Sequence, residues 1–490
     1  MLLRCLSDDS PDRAVALATF LINRSIMRNT NTLGAGICLC GLLWAQATLP
    51  AAVVTYPAPA SEVLSSEYEV VADGKKVDVY TARVLDPPFA GKEWDFGGPY
   101  AFANFDMAGR VTVKVRATRS LRSMVVRPDY PDVQLRVVDE HTVSITFGSP
   151  RKISVEPDGR KGPLLLFANP MEKKAPKAGA PGVVYFGPGL HQVGKVEVRD
   201  NQTVYLAGGA VVKGAIVAQG SNIRILGRGI LDGSDYEWRK GPYNFTVGIT
   251  GTNVEVNGIT IRGSSHWTIV PNASRDVTVR NVKLCGARVQ NDDGINPCNS
   301  QNVLITDCFI RTDDDCVALK GLDLRRPNNN VENIVVENCT LWCDRARIFL
   351  LGHESRAAFM RNLMLRNLEI IHFTMTAFLL EPGEQMRLED VRIENVRIHG
   401  EGQRELARLK PVVNQYMQNK VPGHLRGVHF KAVDVYGAPG AYLIQLEGAD
   451  AQHQVQDVRF EKVKVLGQDL KADSPNIKVG QQVEGVQFVP

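Results

Sequence analysis

Short apolar segments separated by turns fill the first part of the chain after residue 48. They alternate apolar and polar positions with the two-residue period of half-buried strands. Asp73-Gly74 and Asp158-Gly159 fit tight turns between such strands. No helical stripe competes, so residues 48–170 are predicted to form an antiparallel β-sandwich, which shows no catalytic motif. The clearest strand patterns are Val77–Tyr80, Val111–Val115, Thr142–Phe147 and Lys152–Val155.

A repeat follows a stretch rich in Lys, Pro, Gly and Ala at residues 171–182, which is typical of a linker. From residue 183 to 490, the repeated unit is an Asn or Asp followed by apolar, any and apolar residues. Successive copies lie roughly 23 to 37 residues apart, a spacing that indicates a solenoid. Clear copies begin at Asn281, Asp307, Asn338, Asn367 and Asn395, and weaker ones span Asn257–Ile261, Val433–Val435 and Val463–Val465.

The chemistry of the repeat favours a right-handed parallel β-helix over residues 183–490. Asn and Asp tolerate the left-handed backbone conformation better than other non-glycine residues, so each can form a tight corner between two short strands. Each coil would then pair with the next at about 4.8 Å and stack its inward side chains. A leucine-rich horseshoe would need shorter, leucine-dominated repeats.

Length and charge set limits on function. A chain of 490 residues is too long for one ordinary core, and its formal charge of +4 is close to neutral. Lys and Arg are scattered rather than clustered, which argues against nucleic acid or an anionic membrane as a partner. Membrane insertion is not expected either. No cofactor is expected.

The first 47 residues are predicted to be a leader with a signal peptide. Leu33–Ala47 is a short apolar run that follows Arg28 and ends in Ala45-Gln46-Ala47, so it fits a cleaved export signal to the periplasm or the extracellular space. Met27 is an alternative start.

Six cysteines crowd into one region, without a zinc pattern. They are interpreted as apolar residues stacked inside coils, with a disulfide between Cys339 and Cys343 as the alternative. These six are Cys285, Cys298, Cys308, Cys316, Cys339 and Cys343.

Two acidic motifs on consecutive coils carry the candidate chemistry, Asn291–Pro297 (NDDGINP) and Arg311–Gly321 (RTDDDCVALKG). Five carboxylates so close together should raise at least one pKa. Glycoside hydrolysis uses such groups, one to protonate the leaving oxygen and another to activate water. A calcium site or solvated turns are the alternatives. The five carboxylates are Asp292, Asp293, Asp313, Asp314 and Asp315.

At these motifs the chain resembles glycoside hydrolase family 28, the polygalacturonase family. That family has Asn-Thr-Asp-Gly and, 21 residues downstream, Gly-Asp-Asp-Cys, and Asp293 and Asp314 stand at this separation. The segments Gly227–Gly233 and Ser265–Pro271 also resemble coils of the family. The resemblance implies that Asp314 is the general acid and that Asp293 and Asp315 hold and deprotonate water, with inversion. The roles of Asp292 and Asp313 stay open, and they could shift the assignment by one position.

Two departures from family 28 bear on the substrate. Its Gly-His-Gly motif is missing, and Arg347 stands near that position, with His353 a few residues later. Its Arg-Ile-Lys motif is replaced by Phe378-Leu379-Leu380-Glu381, which offers no cation to an anionic sugar, so a neutral sugar is expected. The alternative is that Arg345, Arg347 or Arg356 reaches the cleft from the longer coil. The two departures, with the sandwich in front, look more like family 49, the dextranase and isopullulanase family, which acts on neutral α-glucans.

Further substrate contacts are predicted from position and residue type. Aromatic faces stack on sugar rings, with packing of the Trp238 loop onto its coil and core packing of Trp267 as the alternatives. His353 and Glu354, next to Gly352, fit the cleft side of their coil. A polysaccharide lyase and a non-catalytic carbohydrate-binding protein are the rival functions, and the expected partner in each case is a polysaccharide or oligosaccharide. The candidates are Trp238, His266, Trp267, Asp292, Asp313, Lys320, Arg347, His353, Glu354 and Glu381.

Overall fold

A computed structural model describes residues 51–92, 98–322 and 329–490. Its regular elements are all β-strands within these ranges, and none of the described residues forms a helix that could cross a membrane. The predicted leader and export signal lie outside the described residues.

Eleven strands form the N-terminal part of the described chain. The sheet β3-β2-β6-β9-β8 is antiparallel throughout, and the second sheet has the order β1-β5-β11-β10-β7 with β4 also paired to β5. The prediction of a purely antiparallel sandwich needs one correction, because β5 and β11 run parallel. The strands are β1 Ala52–Thr55, β2 Tyr68–Ala72, β3 Lys75–Val77, β4 Val79–Ala82, β5 Tyr100–Ala108, β6 Val111–Ala117, β7 Val125–Arg127, β8 Gln134–Val137, β9 Thr142–Phe147, β10 Arg151–Glu156 and β11 Leu164–Pro170.

Strands β6 and β9 show why the alternating pattern succeeds. Their inward side chains, such as Val113 and Ile145, are fully buried and paired across the sheet, while the intervening positions are partly or fully exposed. The prediction of one strand over Val77–Tyr80 is wrong, because the strand breaks at Asp78. Its two halves, β3 and β4, belong to different sheets. The Asp78 carboxylate accepts a hydrogen bond from the Ala58 backbone N–H at 2.9 Å instead.

The remaining strands wind as a parallel β-helix, as the repeat predicts. They form one sheet of 22 strands and one of six, with the order β24-β27-β29-β31-β33-β37, and only the short β35–β36 pair is antiparallel. The strands are β12 Val183–Phe186, β13 Gly189–Val198, β14 Thr203–Leu206, β15 Ala210–Gly227, β16 Ile230–Asp232, β17 Val247–Asn257, β18 Thr260–Arg262, β19 Ile269–Pro271, β20 Arg275–Arg280, β21 Lys283–Cys285, β22 Gln301–Thr306, β23 Phe309–Thr312, β24 Val317–Leu319, β25 Val331–Glu337, β26 Thr340–Cys343, β27 Arg347–Leu351, β28 Phe359–His372, β29 Thr376–Leu380, β30 Arg387–Glu401, β31 Glu405–Leu409, β32 His424–Ala438, β33 Leu443–Leu446, β34 Val455–Glu461, β35 Lys464–Val465, β36 Gln468–Asp469, β37 Ile477–Val479, β38 Val483–Glu484 and β39 Gln487–Val489.

The predicted Asn and Asp corners are confirmed. All five clear copies have a positive φ of between 51° and 55° at the corner residue. The weaker copies turn on other residues, namely Gly258, Ala432 and Lys462. A second row of corners, which the repeat did not predict, runs through Asn302, Asn333 and Asn362. Their side-chain amides donate to one another along the row at 2.9–3.0 Å, so each corner stabilises the next.

The six cysteines are buried and form no disulfide, so the alternative of a disulfide between Cys339 and Cys343 is wrong. Cys308, Cys316, Cys339 and Cys343 belong to the stacked core of the coils. Cys285 instead joins the apolar layer between the two domains.

The sandwich packs directly on the outer face of the β-helix. Aromatic side chains form the layer between them, including Phe102 and Phe167 from the sandwich and Phe309 and Trp342 from the coils. The ring centres of Phe167 and Phe309 are 5.3 Å apart. This buried layer joins the sandwich to the coils that carry the acidic motifs.

Candidate active site

One ladder of short parallel segments carries the acidic motifs. Ile295 pairs with Val317 on the next coil, and Val317 pairs with Phe349 on the coil after that. Asp293 and Asp315 each lie two residues before one of these paired positions. Parallel pairing in register therefore places Asp293 and Asp315 on adjacent coils, with Arg347 on the third.

Gly294 allows the two acidic coils to approach closely. A Cβ at this position would lie 2.4 Å from the carbonyl oxygen of Cys316. The Gly294 N–H donates to the Asp315 carbonyl at 2.9 Å. The glycine of the first motif is thus required by backbone contact between coils.

A cleft of about 590 Å³ opens above this ladder. Asp293, Asp314 and Asp315 line it, whereas Asp292 and Asp313 do not. The lining also contains groups from coils before and after the aspartates, so the cleft runs across several coils. The other lining residues are Arg239, Trp267, Gln290, Asn291, Lys320, Leu322, Arg345, Arg347, Leu350, His353, Glu354, Arg356, Met375 and Tyr416.

Asp314 is the most exposed of the five aspartates, at 9%. Its Oδ2 accepts hydrogen bonds from Asn291 Nδ2 at 3.2 Å and from the Arg345 guanidinium at 2.9 Å. Its Oδ1 accepts the backbone N–H of Asp315 at 3.0 Å. Three donors therefore orient this carboxyl group toward the cleft without covering it.

Asp293 and Asp315 lie deeper on the floor of the cleft. Burial raises the pKa of Asp293 to about 6; the nearby Lys320 ammonium opposes this rise and the Asp314 carboxylate adds to it. Burial and the Asp314 charge also raise the pKa of Asp315 well above its usual range, against the pull of Arg347. These two buried carboxyl groups therefore retain a proton to higher pH than an ordinary aspartate does.

Asp292 and Asp313 support the site from behind. Asp292 is fully buried and accepts three backbone N–H groups, those of Ala287 at 2.6 Å, Arg288 at 3.2 Å and Asp313 at 2.7 Å. The Asp313 Oδ2 accepts from Arg345 Nε at 2.9 Å, and burial is the main cause that raises its pKa to about 7. Their contacts indicate that they hold coils and Arg345 in place.

The second group of predicted residues that lines the cleft comprises Trp267, Lys320 and Glu354, whereas His266 lies behind Trp267 and does not line it. The Lys320 Nζ lies 3.5 Å from Asp293 Oδ2, 3.0 Å from Glu354 Oε2 and 4.0 Å from the centre of the Trp267 ring. His266 stacks on Trp267 with their ring planes 8° apart, and burial lowers the His266 pKa.

His353 and Arg347 reach the downstream side. The His353 Nδ1 shares a hydrogen bond of 2.5 Å with Glu381, and Arg347 NH1 lies 3.6 Å from Asp315 Oδ1. Glu381 itself is buried and does not line the cleft. Its pKa is lowered, because hydrogen bonds and charges from His353 and Arg408 outweigh the effect of burial.

Trp238, a predicted sugar-stacking residue, lies apart from the cleft lining. It packs edge-on against Phe89 of the sandwich, with ring centres 5.1 Å apart, and joins a small apolar cluster with Leu85 and Val289. Its neighbour Arg239 lines the cleft instead.

The cleft contains cations from outside the position of the Arg-Ile-Lys motif, including the three arginines left open as alternatives, Arg345, Arg347 and Arg356. Four of the cations that line it form ion pairs with carboxylates: Lys320, Arg345, Arg347 and Arg356. Arg239 forms no ion pair within the described ranges; it lies 4.8 Å above the Trp238 ring and donates to Asn291 Oδ1 at 3.1 Å. Arg239 was not predicted from the sequence, because its loop has no repeat pattern that would place it. Within the described ranges, no group of three or more His, Cys, Asp or Glu side chains could hold a metal ion.

Comparison with known proteins supports the resemblance of these coils to a known family. Residues 211–343 match the model of the glycosyl hydrolases family 28. A probable polygalacturonase of Vitis vinifera is 31% identical over 109 residues, 21% of this chain and 22% of that protein. Isopullulanase of Aspergillus niger is 27% identical over 273 residues, 45% of this chain and 46% of that protein. The chain thus spans less than half the length of these curated relatives.

The fold has a counterpart in a solved structure. Dex49A from Penicillium minioluteum superposes with a TM-score of 0.58 at 16% identity, covering 88% of this chain and 96% of that one. At this identity the likeness concerns the fold alone. The resemblance predicted from the aspartate motifs is therefore confirmed: the chain resembles glycosyl hydrolases of family 28 in residues 211–343, within a two-domain layout like that of Dex49A.

Proposed function

We propose that this protein is a glycoside hydrolase that cleaves a polysaccharide or oligosaccharide with inversion, on a right-handed parallel β-helix. The observation that carries the proposal is which of the aspartates line the cleft. Of the five in the two motifs, only Asp293, Asp314 and Asp315 line the cleft. These are the three that the family 28 resemblance assigns to catalysis.

In the proposed mechanism, Asp314 donates its proton to the glycosidic oxygen as the bond to the anomeric carbon breaks. Asp293 and Asp315 hold a water molecule, whose oxygen attacks that carbon from the opposite face while a carboxylate accepts its proton. In this mechanism Asp314 carries a proton before the reaction, and the carboxyl group that accepts the proton of water is ionised. Burial raises the pKa of Asp293 to about 6, so at neutral pH this group is largely ionised and can accept the proton of the attacking water.

Four side chains would organise this chemistry. Asn291 and Arg345 orient Asp314, and Arg345 stabilises the carboxylate that remains after proton transfer. Lys320 favours the ionised form of Asp293, which the attack on the sugar requires. Trp267, with the Lys320 ammonium over the centre of its ring, lines the cleft beside the aspartates.

We propose a neutral sugar at the cleaved bond. Four of the five lining cations already pair with carboxylates, so an anionic sugar would have to displace an internal partner. The long alignment with an isopullulanase also favours a neutral glucan. Polygalacturonate is the second candidate, because of the family 28 match and the position of Arg347 beside Asp315.

A product analysis tests the proposal. The purified protein is incubated with dextran, pullulan and polygalacturonate, and new reducing ends, ultraviolet absorbance and anomeric configuration by NMR are recorded. New reducing ends of inverted configuration from a neutral glucan are expected. Unsaturated products would indicate a lyase, and binding without cleavage would indicate a carbohydrate-binding protein. Retained configuration would contradict the inverting mechanism.

Export is part of the proposal. A polysaccharide substrate lies outside the cell, and the apolar run Leu33–Ala47 fits a cleaved signal. N-terminal sequencing of the exported protein is expected to find cleavage shortly after Ala47. Retention of the whole chain inside the cell would contradict it.

A further inference from the structure

The loop that precedes the catalytic Asp293 is fastened to the sandwich domain. We define the aspartate loop as residues 286–292. The backbone N–H groups of Leu85 and Asp86 donate to the carbonyls of Ala287 and Arg288 at 2.9 and 2.7 Å. The Tyr100 hydroxyl donates to the Gly286 carbonyl at 2.8 Å. Three sandwich residues thus bind one short loop.

Arg288 is the centre of this arrangement. It is 2% exposed, and its NH1 donates to the Asp86 carboxylate at 2.8 Å. Its other nitrogens donate to backbone carbonyls of Gly263 at 3.0 Å, Tyr236 at 2.8 Å and Ser264 at 3.2 Å. One guanidinium therefore ties together the sandwich and the loops of two preceding coils.

Hydrogen bonds connect this arrangement to the cleft by two routes, one through Asp292 and one through Arg239. The N–H groups of Ala287 and Arg288 bind the Asp292 carboxylate, whose other oxygen binds the Asp313 N–H, so the aspartate loop is tied to the coil of Asp314. Upstream, the loop of Tyr236 continues to Arg239, which donates to Asn291. Asn291 in turn donates to Asp314.

We propose that Arg288, held by Asp86 of the sandwich, is a positioning residue that fixes Asp293 and Asn291 relative to Asp314. It touches no reacting atom itself. Asp86 completes the arrangement because it neutralises a buried guanidinium that would otherwise bind only carbonyl groups. The sandwich is then a structural requirement for the geometry of the catalytic centre, beyond its role as a neighbouring domain. The kinetic part of this inference rests on the proposed hydrolase function.

The test compares two ion pairs that link the same domains. Asp86→Asn weakens the pair with Arg288 and also the exposed pair with Arg83, whereas Arg288→Lys leaves the Arg83 pair in place. Asp106→Asn weakens the buried pair with Arg228, in which the atoms are 2.6 Å apart and which does not touch the aspartate loop. Melting temperatures show whether each variant folds. Hydrogen–deuterium exchange of the aspartate loop then measures positioning without any substrate.

The expected result is selective. Asp86→Asn should accelerate exchange of the aspartate loop and lower kcat at least about 10-fold with little change in KM, since small misplacements of catalytic groups are costly. Arg288→Lys should act in the same way, because one ammonium cannot replace the guanidinium fork. Asp106→Asn should leave both properties unchanged. Unchanged loop exchange in Asp86→Asn, or equal acceleration in both Asp variants, would overturn the inference. Accelerated exchange in a protein that cleaves no polysaccharide would instead contradict the proposed function.

Discussion

The ammonium group of Lys320 lies 3.5 Å from the carboxylate of Asp293 on the floor of the cleft. Burial raises the pKa of Asp293 to about 6, and the charge of Lys320 is the main influence that lowers it. Lys320 therefore decides how far toward acidic pH Asp293 stays ionised. The proposed mechanism needs the ionised form, because this group accepts a proton from water.

The first prediction concerns the pH profile of Lys320→Met. Loss of the cation raises the pKa of Asp293 above about 6, so a higher pH is needed to ionise it. The acidic limb of the kcat/KM profile should move upward by at least about one pH unit, within the range for loss of a neighbouring opposite charge. Lys410→Met, which removes the partner of Glu447 outside the cleft, should leave the limb in place. An unmoved limb in Lys320→Met would refute the assignment of Asp293.

The second prediction concerns the three lining aspartates. Asp293→Asn, Asp314→Asn and Asp315→Asn should each lower kcat by roughly 10²–10⁴-fold, the usual contribution of a general acid or base. Their melting temperatures should change little, because Asn matches Asp in size. Asp313→Asn, behind the cleft, should retain far more activity. Near-normal turnover of Asp314→Asn with an inactive Asp313→Asn would move the acid by one position.

The third prediction concerns Asp292, whose carboxylate satisfies three buried N–H groups. Asp292→Ala should reduce the free energy of unfolding by at least about 1–3 kcal/mol, the cost of leaving even one buried donor unpaired. Urea denaturation followed by fluorescence measures this difference. Asp434→Ala, at an exposed position on β32, is the control and should unfold as the unmodified protein does. Equal stability of the two variants would show that Asp292 does not hold the coils together.

The sequence was informative wherever one short-range rule determines the structure. Alternation predicted β6 and β9, and tolerance of positive φ predicted the corners at Asn281 and Asn338. Corners such as Ala432 carry the same conformation without a residue type that favours it, because pairing with neighbouring coils imposes it.

Contacts between distant segments could not be predicted in this way. The spacing of the motifs indicated which aspartates are candidates for catalysis. Whether each side chain faces the interior or the cleft depends on how the coils stack. Arg239 reaches the cleft because Trp238 packs on Phe89, which is about 150 residues away in the chain. The pairing of Arg288 with Asp86 likewise joins two domains, and no local pattern encodes it.

The fourth prediction separates the two contributions of a corner asparagine. Asn333 has a φ of 57°, donates to Asn302 and accepts from Asn362. Asn333→Gly loses the amide contacts but adopts this backbone conformation without strain, whereas Asn333→Ala also bears the left-handed penalty of roughly 1–2 kcal/mol. Asn333→Ala should therefore be the less stable variant, by about that amount in urea denaturation. Equal stabilities of the two variants would mean that backbone conformation contributes little, and that the hydrogen-bonded amide row accounts for the preference for Asn at these corners.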